Sequence, residues 1–462
     1  MKKVLIISPY FAPENTIASV RFTKFAKYLS KMGYQVSVIC CREMATDKKD
    51  RILSDDCAGI KEIYQLKPVS ISAKLSKVYS LLQGRNETDD KKKTQSKNAD
   101  ADSQTNKNSS MFDKVTGSKV YQYAAEMWWY TMEYVQAYSF IRFYKKNSSK
   151  LGRFDCVISS YGPSSSHIFA SYLRRKHYCR KWIADFRDVI YGTIREENSV
   201  IRKKKKLLAK MCLQADSVTS ISDELLTVLE SYVQNSYSRS IKKKSICIPN
   251  GFDMEDSNYI KTESNPGYFD IAYCGVIYYS LDNLLRDPRP LFQAIDELDQ
   301  EGKIDKTKIR CHYAGKSYDV FSKFAGEYHL EDTIINHGFV ERYQSLDIQN
   351  CCDIILSLSW NTKKEKGIMT GKIFEALLVR KNVLSIITGN EPDSALKEMI
   401  QKCGIGYAWE MGSGATIEEL KKWIYDRYSE KMSNGYVAYH GISNEIDKYT
   451  YRKLAEQYSE LL

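Results

Sequence analysis

The sequence has no run long and apolar enough to cross a membrane: no stretch approaches the ~20 apolar residues that a spanning helix requires. The run Val4–Ile7 is too short for a secretory signal core, and Pro9 follows it. These absences lead to the expectation of a cytoplasmic protein, soluble or at most peripheral on the inner face of the membrane. None of the 12 cysteines forms a Cys-x-x-Cys pair. Cys40–Cys41 and Cys351–Cys352 lack metal-ligand spacing, and Cys156, Cys274 and Cys311 sit in apolar runs, where a thiol acts as a small hydrophobe. Reduced, structural thiols are expected. No Asp-x-Asp stands at an expected strand end; Asp100-Ala101-Asp102 lies in a polar stretch, so no metal site is expected.

What is present points to two α/β domains. At 462 residues the chain exceeds the ~250–300 that one core accommodates. A hydrophobic fraction of 43% is enough for packed cores. The net charge of +12 suits an acidic partner, whether phosphate esters, nucleic acid or an anionic membrane surface.

Val4–Ser8, Ile17–Lys31 and Val36–Cys40 read as strand, helix and strand, a βαβ unit that predicts a parallel sheet. Residues 85–110 are almost devoid of apolar side chains and are expected to be a disordered insertion. An aromatic-rich helix is predicted over Val120–Lys146, containing Trp128 and Trp129. The alternation resumes at Cys156–Ser159 and includes a basic helix over Glu196–Ala215 and a helix from Asp223 capped by Ser222. A second α/β series starts near Phe269, with strands at Ile271–Cys274, Ile309–Ala314, Thr333–Asn336, Ile354–Leu358 and Val383–Ile387. The expected organisation is a first Rossmann-like domain over 1–245, a second over 246–440, and a final segment 441–462 whose helix (Glu445–Leu462) can return to the first domain.

The segment Thr370-Gly371-Lys372-Ile373-Phe374-Glu375 carries the strongest chemical signal. A glycine opens a helix after a loop, so free backbone N–H groups, backed by Lys372, suit a diphosphate. Glu375, one turn in, can accept hydrogen bonds from ribose hydroxyls; an ordinary amphipathic helix with an exposed glutamate explains the same pattern. Arg286 and Arg289, in Arg286-Asp287-Pro288-Arg289-Pro290 after Gly275, and Lys316 after Ala314-Gly315 are further cations in the second series; a helix start with Pro at N1 and a solvated arginine explains the first pair. Asp188, after Asp185-Phe186-Arg187, stands at a strand end and faces either a sugar or its own helix cap. Tyr161 lies in a second strand-end loop whose small residues leave room for substrate. His167 follows on a helix and reads as structural or substrate-facing. The basic helix (Arg202, Lys203–Lys206, Lys210) suits an anionic membrane surface or a solvated face.

Together, Pro249-Asn250-Gly251-Phe252-Asp253, Tyr273-Cys274-Gly275, Gly338-Phe339-Val340 and Gly371–Glu375 resemble the carboxyl half of glycosyltransferase family 4. In the amino half, Pro9–Asn15 followed by Ala18-Ser19-Val20-Arg21 resembles that family's acceptor-side loop, and Ala215–Ser222 its last strand before the linker. The resemblance covers nearly the whole chain except the polar insertion, and it points to the bacterial surface-polysaccharide branch. It implies a GT-B fold and retaining transfer from a nucleotide-sugar, most often a UDP-sugar, to a saccharide or lipid-linked saccharide. It implies no cofactor, no metal and no nucleic acid partner, and an arginine and a lysine of the second domain that neutralise the leaving diphosphate, for which Arg286, Arg289 and Lys316 are the candidates. Glu375, Thr370, Gly371, Lys372, Gly275 and Asn250 are implied donor contacts; Glu14, Asn15, Ser19, Arg21 and Tyr161 fall on the acceptor side. The family's first glutamate, eight positions before Glu375, is replaced by Gly367, with Glu365 two residues off register. The same resemblance admits a nucleotide-sugar epimerase or a non-catalytic homologue.

Overall fold

The amino-terminal apolar run forms β1 (Lys3–Ile7), buried from Val4 onward, and pairs in parallel with strands on both sides. The computed structural model describes residues 1–14, 16–41, 50–67, 119–187, 197–261, 265–277, 279–280, 283–284, 286–363, 365–366 and 369–462. Asn15, Asp188, Gly367 and the insertion 85–110 with Asp100 and Asp102 lie outside the described residues.

The first sheet contains β1, β2 (Gln35–Cys41), β3 (Glu62–Leu66), β4 (Phe154–Ser160), β5 (Cys179–Phe186), β6 (Ser217–Ser220) and β7 (Ser245–Cys247). Its order is β3-β2-β1-β4-β5-β6-β7, with every pairing parallel. Helices cover both faces: α1 (Ile17–Lys31), α2 (Arg51–Asp55), α3 (Lys119–Lys146), α4 (Ser165–Arg175), α5 (Ser199–Gln214) and α6 (Asp223–Tyr237). With water excluded on both sides, β1 is apolar and buried from Val4 onward, and β4 is buried at every position but Asp155.

A two-stranded hairpin, β9 (Tyr279–Ser280) and β10 (Asn283–Leu284), projects from the second half. The second sheet runs β12-β11-β8-β13-β14-β15, again all parallel. Its strands are β8 (Phe269–Cys274), β11 (Ile309–Ala314), β12 (Ile334–Gly338), β13 (Ile354–Trp360), β14 (Asn382–Thr388) and β15 (Gly406–Glu410). The helices are α7 (Arg289–Gln300), α8 (Tyr318–Gly326), α9 (Arg342–Cys351), α10 (Gly371–Val379), α11 (Ala395–Cys403) and α12 (Ile417–Asn434). Each sheet reverses its winding beside its first strand, and ligands of open α/β sheets bind at that point.

The last helix, α13 (Tyr451–Leu461), packs on α1 of the first half: Tyr451, Leu454, Ala455 and Tyr458 join Phe22 and Phe25 in one core. Phe25 meets Tyr458 edge-on at 4.5 Å.

Several element boundaries differ from the sequence reading. The helix expected over Glu445–Leu462 breaks into one turn (Ser443–Ile446), a 3-10 turn (Asp447–Tyr449) and α13, because the Thr450 side chain accepts from Lys453 N at 3.4 Å and starts a new helix. The basic helix starts at Ser199 because Asn198 Oδ1 accepts from Val200 N and Ile201 N. The half-exposed edge strands β3 and β15 carry weak patterning and were missed by the sequence reading. Among the described residues no helix is long and apolar enough to cross a membrane.

Candidate functional site

A cavity of about 290 Å³ opens between the halves at the switch point of the second sheet. The end of β8, Gly315 after β11, Arg342 and Ser345 of α9, and the start of α10 form one wall. Thr16 and Val20, at the start of α1, reach it from the first half.

Two glycines make the floor bare backbone. Gly275 N donates to Ala314 O at 2.9 Å, and a Cβ on Gly315 would lie 2.0 Å from Gly275 O, so no larger residue fits there. Above this floor α10 begins at Gly371. Its cap residue Thr370 is extended and makes no side-chain cap bond, so no capping side chain takes up the first N–H groups of the helix. Such a terminus attracts anions.

Glu375 follows one turn on. Its Oε2 accepts from Gln349 Nε2 at 2.9 Å and Lys372 Nζ at 3.0 Å. Burial alone would raise its pKa, but Lys372, Arg342 and the Gln349 bond outweigh that and hold the carboxyl below its ordinary range. Arg286 also lines the cavity, donates to Val276 O at 2.9 Å beside the Gly275 floor, and sits 5.7 Å from the Trp360 ring centroid. The cavity therefore gathers Gly275, Arg286, Thr370, Gly371, Lys372 and Glu375 from three stretches of sequence. Asn250 lies in an adjoining narrow crevice with Gly371 and Glu375.

Other candidates lie elsewhere. Arg289 opens α7 and pairs with Asp287 at 2.9 Å, away from the cavity lining. Lys316 is exposed and sits 4.7 Å above the ring of Phe339, which does line the cavity. Glu365 accepts from the Trp360 indole N–H at 2.8 Å.

On the first half, Glu14 and Ser19 are buried and bonded to each other at 3.3 Å. Tyr161 is buried against Phe186, with ring centroids 5.6 Å apart. Arg21 is 2% exposed, forms a fork with Asp185 at 2.7 and 3.2 Å, and donates to the carbonyls of Ile248 and Pro249 at 2.8 Å each. It also reaches Asn250 Oδ1 at 3.3 Å. Placed on the acceptor side by sequence, Arg21 sits in a buried junction of α1, β5 and the connection between the halves. His167 is buried too, with Nδ1 2.7 Å from Ser159 Oγ, and burial lowers its pKa to about 3, so it stays neutral. Asp56, Asp253 and Asp256 are close enough together to hold a cation, yet Lys24 Nζ already pairs with all three.

Sequence reasoning missed Thr16, Ser345 and Arg342 in the cavity wall. Arg342 follows Gly338-Phe339-Val340 and Glu341, and in sequence it looks like a solvated helix start.

No protein-family model matches the chain, and no curated protein does. Solved structures do. Sucrose-phosphate synthase from Thermosynechococcus elongatus superposes with a TM-score of 0.57 at 10% identity, covering 100% of this chain and 98% of that one. An E. coli structure titled trehalose-6-phosphate, bound with UDP-2-fluoro glucose, gives 0.58 at 11%, covering 99% and 98%. The lipopolysaccharide outer core galactosyltransferase WaaB gives 0.53 at 12%, covering 99% and 98%. The two parallel sheets and their facing cleft are those of the GT-B fold, which this chain shares with glycosyltransferases. At 10–12% identity the likeness extends to the fold alone.

Proposed function

We propose that the chain is a retaining glycosyltransferase that moves a sugar from a nucleotide-sugar, most simply a UDP-sugar, to a saccharide or lipid-linked saccharide in polysaccharide biosynthesis. The observation that carries this reading is the convergence, in one cleft, of the Gly275–Gly315 floor, the uncapped start of α10, Lys372 and Glu375. A diphosphate fits against the uncapped N–H groups at the start of α10, above a floor with no side chains, and ribose hydroxyls fit an ionised carboxylate. As the bond between sugar and phosphate breaks, negative charge grows on the leaving diphosphate. Arg286, Lys372 and the positive end of α10 are preorganised to stabilise it. The acceptor hydroxyl attacks on the face from which the diphosphate leaves, and the departing phosphate takes its proton. The protein contributes position and field. Purified protein incubated with radiolabelled nucleotide-sugars and membrane lipid extract is expected to transfer label to lipid. Epimerised donor without transfer would identify an epimerase; tight binding with no turnover, a non-catalytic homologue.

The lipid-linked acceptor brings in a membrane surface. Arg202, Lys203, Lys206 and Lys210 form an exposed stripe on α5, without ion-pair partners among the described residues. Alongside it α3 exposes Tyr123 (42%), whose hydroxyl lies 3.0 Å from Ser199 Oγ of α5, and Trp129 (66%), and is joined to α5 through Asn198–Glu126 at 2.6 Å. Interfacial aromatics beside cations suit an anionic leaflet, at about 1 kcal/mol per basic residue. Co-flotation is expected with anionic vesicles and not with neutral ones, and replacing all four basic residues with Glu should abolish it. Equal flotation with both vesicle types would remove the basic stripe from the reading, and flotation with neither would remove the membrane.

A further inference from the structure

Arg342 is the first residue of α9, and its side chain is 11% exposed between two carboxylates. Its Nη2 lies 2.9 Å from Asp256 Oδ2, and its Nε lies 3.8 Å from Glu375 Oε1. Nη1 is buried with no partner among the described residues, and Arg342 lines the cavity.

The two contacts differ in kind. At 3.8 Å the guanidinium acts on Glu375 through its charge and does not form a hydrogen bond. Oε2 is already taken by Gln349 and Lys372. Arg342 thus helps keep the carboxylate ionised while leaving the acceptor sites of Oε1 open. On its other side, Asp256 belongs to the 3-10 turn Met254–Tyr259 in the connection between the halves. Its Oδ1 binds Lys24 Nζ from α1, and Lys24 also pairs with Asp253 at 2.8 Å and Asp56 at 2.6 Å. A continuous run of charge leads from Glu375 to α1, the helix whose first turns line the same cavity from the other half.

We propose that Arg342 is a positioning residue for the donor site: it orients Glu375 for the ribose hydroxyls and ties that carboxylate, through Asp256 and Lys24, to α1 across the cleft. This rests on the reading of Glu375 as the ribose ligand. The rigid guanidinium presents Nη2 to Asp256 and Nε to Glu375 from one planar group, a directional arrangement that a lysine on a flexible stem does not fix.

The charged and titratable groups around Glu375 are Lys372 on its own helix, Arg342 on α9 and Cys274 on β8; Asp256 and Asp50 lie behind Arg342. The donor needs Glu375 ionised, so affinity falls as pH drops through its pKa. Removing Arg342 removes a cation that lowers this pKa, so the fall begins at higher pH.

The test is calorimetric binding of UDP and of GDP to the full chain between about pH 4 and 8. Arg342→Gln is expected to weaken binding about tenfold and move the acid limb to higher pH. In a Glu375→Gln background, which has no such limb, adding Arg342→Gln should change affinity by less than about twofold, since the two act as one unit. Asp256→Asn, which keeps Arg342 but loosens its far side, should weaken binding several-fold with the limb in place, and it serves if Arg342→Gln does not fold. An acid limb unmoved in Arg342→Gln, or losses that add with Glu375→Gln, overturn the inference while leaving the donor site standing. A wild-type chain that binds neither nucleotide overturns both.

Discussion

Arg21→Met is expected to destabilise the fold by about 3–5 kcal/mol, the usual cost of removing one partner of a buried ion pair. The change strands Asp185, which is fully buried and keeps only the Thr219 hydroxyl at 2.8 Å and the Tyr458 hydroxyl. It also strips a donor from the carbonyls of Ile248 and Pro249, where the chain leaves the first half. Arg21 Cζ lies 5.0 Å from the Phe25 ring centroid, so packing is lost as well. Lysine should recover little, because a point charge cannot make the fork with Asp185 and reach both carbonyls. Urea unfolding measures the loss, against a typical total stability of about 5–15 kcal/mol. If Arg21 served an acceptor instead, Arg21→Met would leave the urea midpoint in place and raise the acceptor KM, and the structural assignment would fall.

Glu375→Ala is expected to lower donor affinity and kcat/KM by roughly 10- to 100-fold, as hydrogen bonds to a charged group contribute about 1.5–3 kcal/mol. The loss has two sources. The ribose hydroxyls lose their acceptor, and Lys372 loses the carboxylate that holds it at 3.0 Å. Thermal unfolding should change little, because Glu375 faces the cavity and not the cores on either side of the second sheet. Wild-type donor affinity in Glu375→Ala would remove this residue from the site and, with it, the strongest link between sequence and function.

Much of this was legible in the sequence because it is local. The period of apolar residues in Ile17–Lys31 predicts α1 with both of its ends. The largely apolar runs that become β11, β13 and β14, alternating with helices, announce a parallel sheet, since strands covered on both faces are rich in apolar residues without a two-residue period. The start of α10 was visible for the same reason: Gly371, Lys372 and Glu375 stand within five residues, and helical geometry alone brings their groups to one end. Weakly patterned pieces escaped. The edge strands β3 and β15 bury too little to show alternation, and Thr450, a single capping hydroxyl, was enough to split the last helix.

By itself, then, the sequence determined most of the elements, their α/β order and the glycine start of α10 with Lys372 and Glu375 on its first turns, all of which follow from spacing within one helix or strand. Tertiary structure decided which charges meet. Arg21 and Asp185 are 164 positions apart, and Arg342 stands between an aspartate at 256 and a glutamate at 375. The residues beside Arg21, Arg286, Arg289 and Arg342 in sequence do not reveal how deeply each is buried. Burial separates them, because a guanidinium taken out of water must find carboxylates or carbonyls, and only the folded chain determines whether those partners lie in the core, at the surface or on the wall of the cleft.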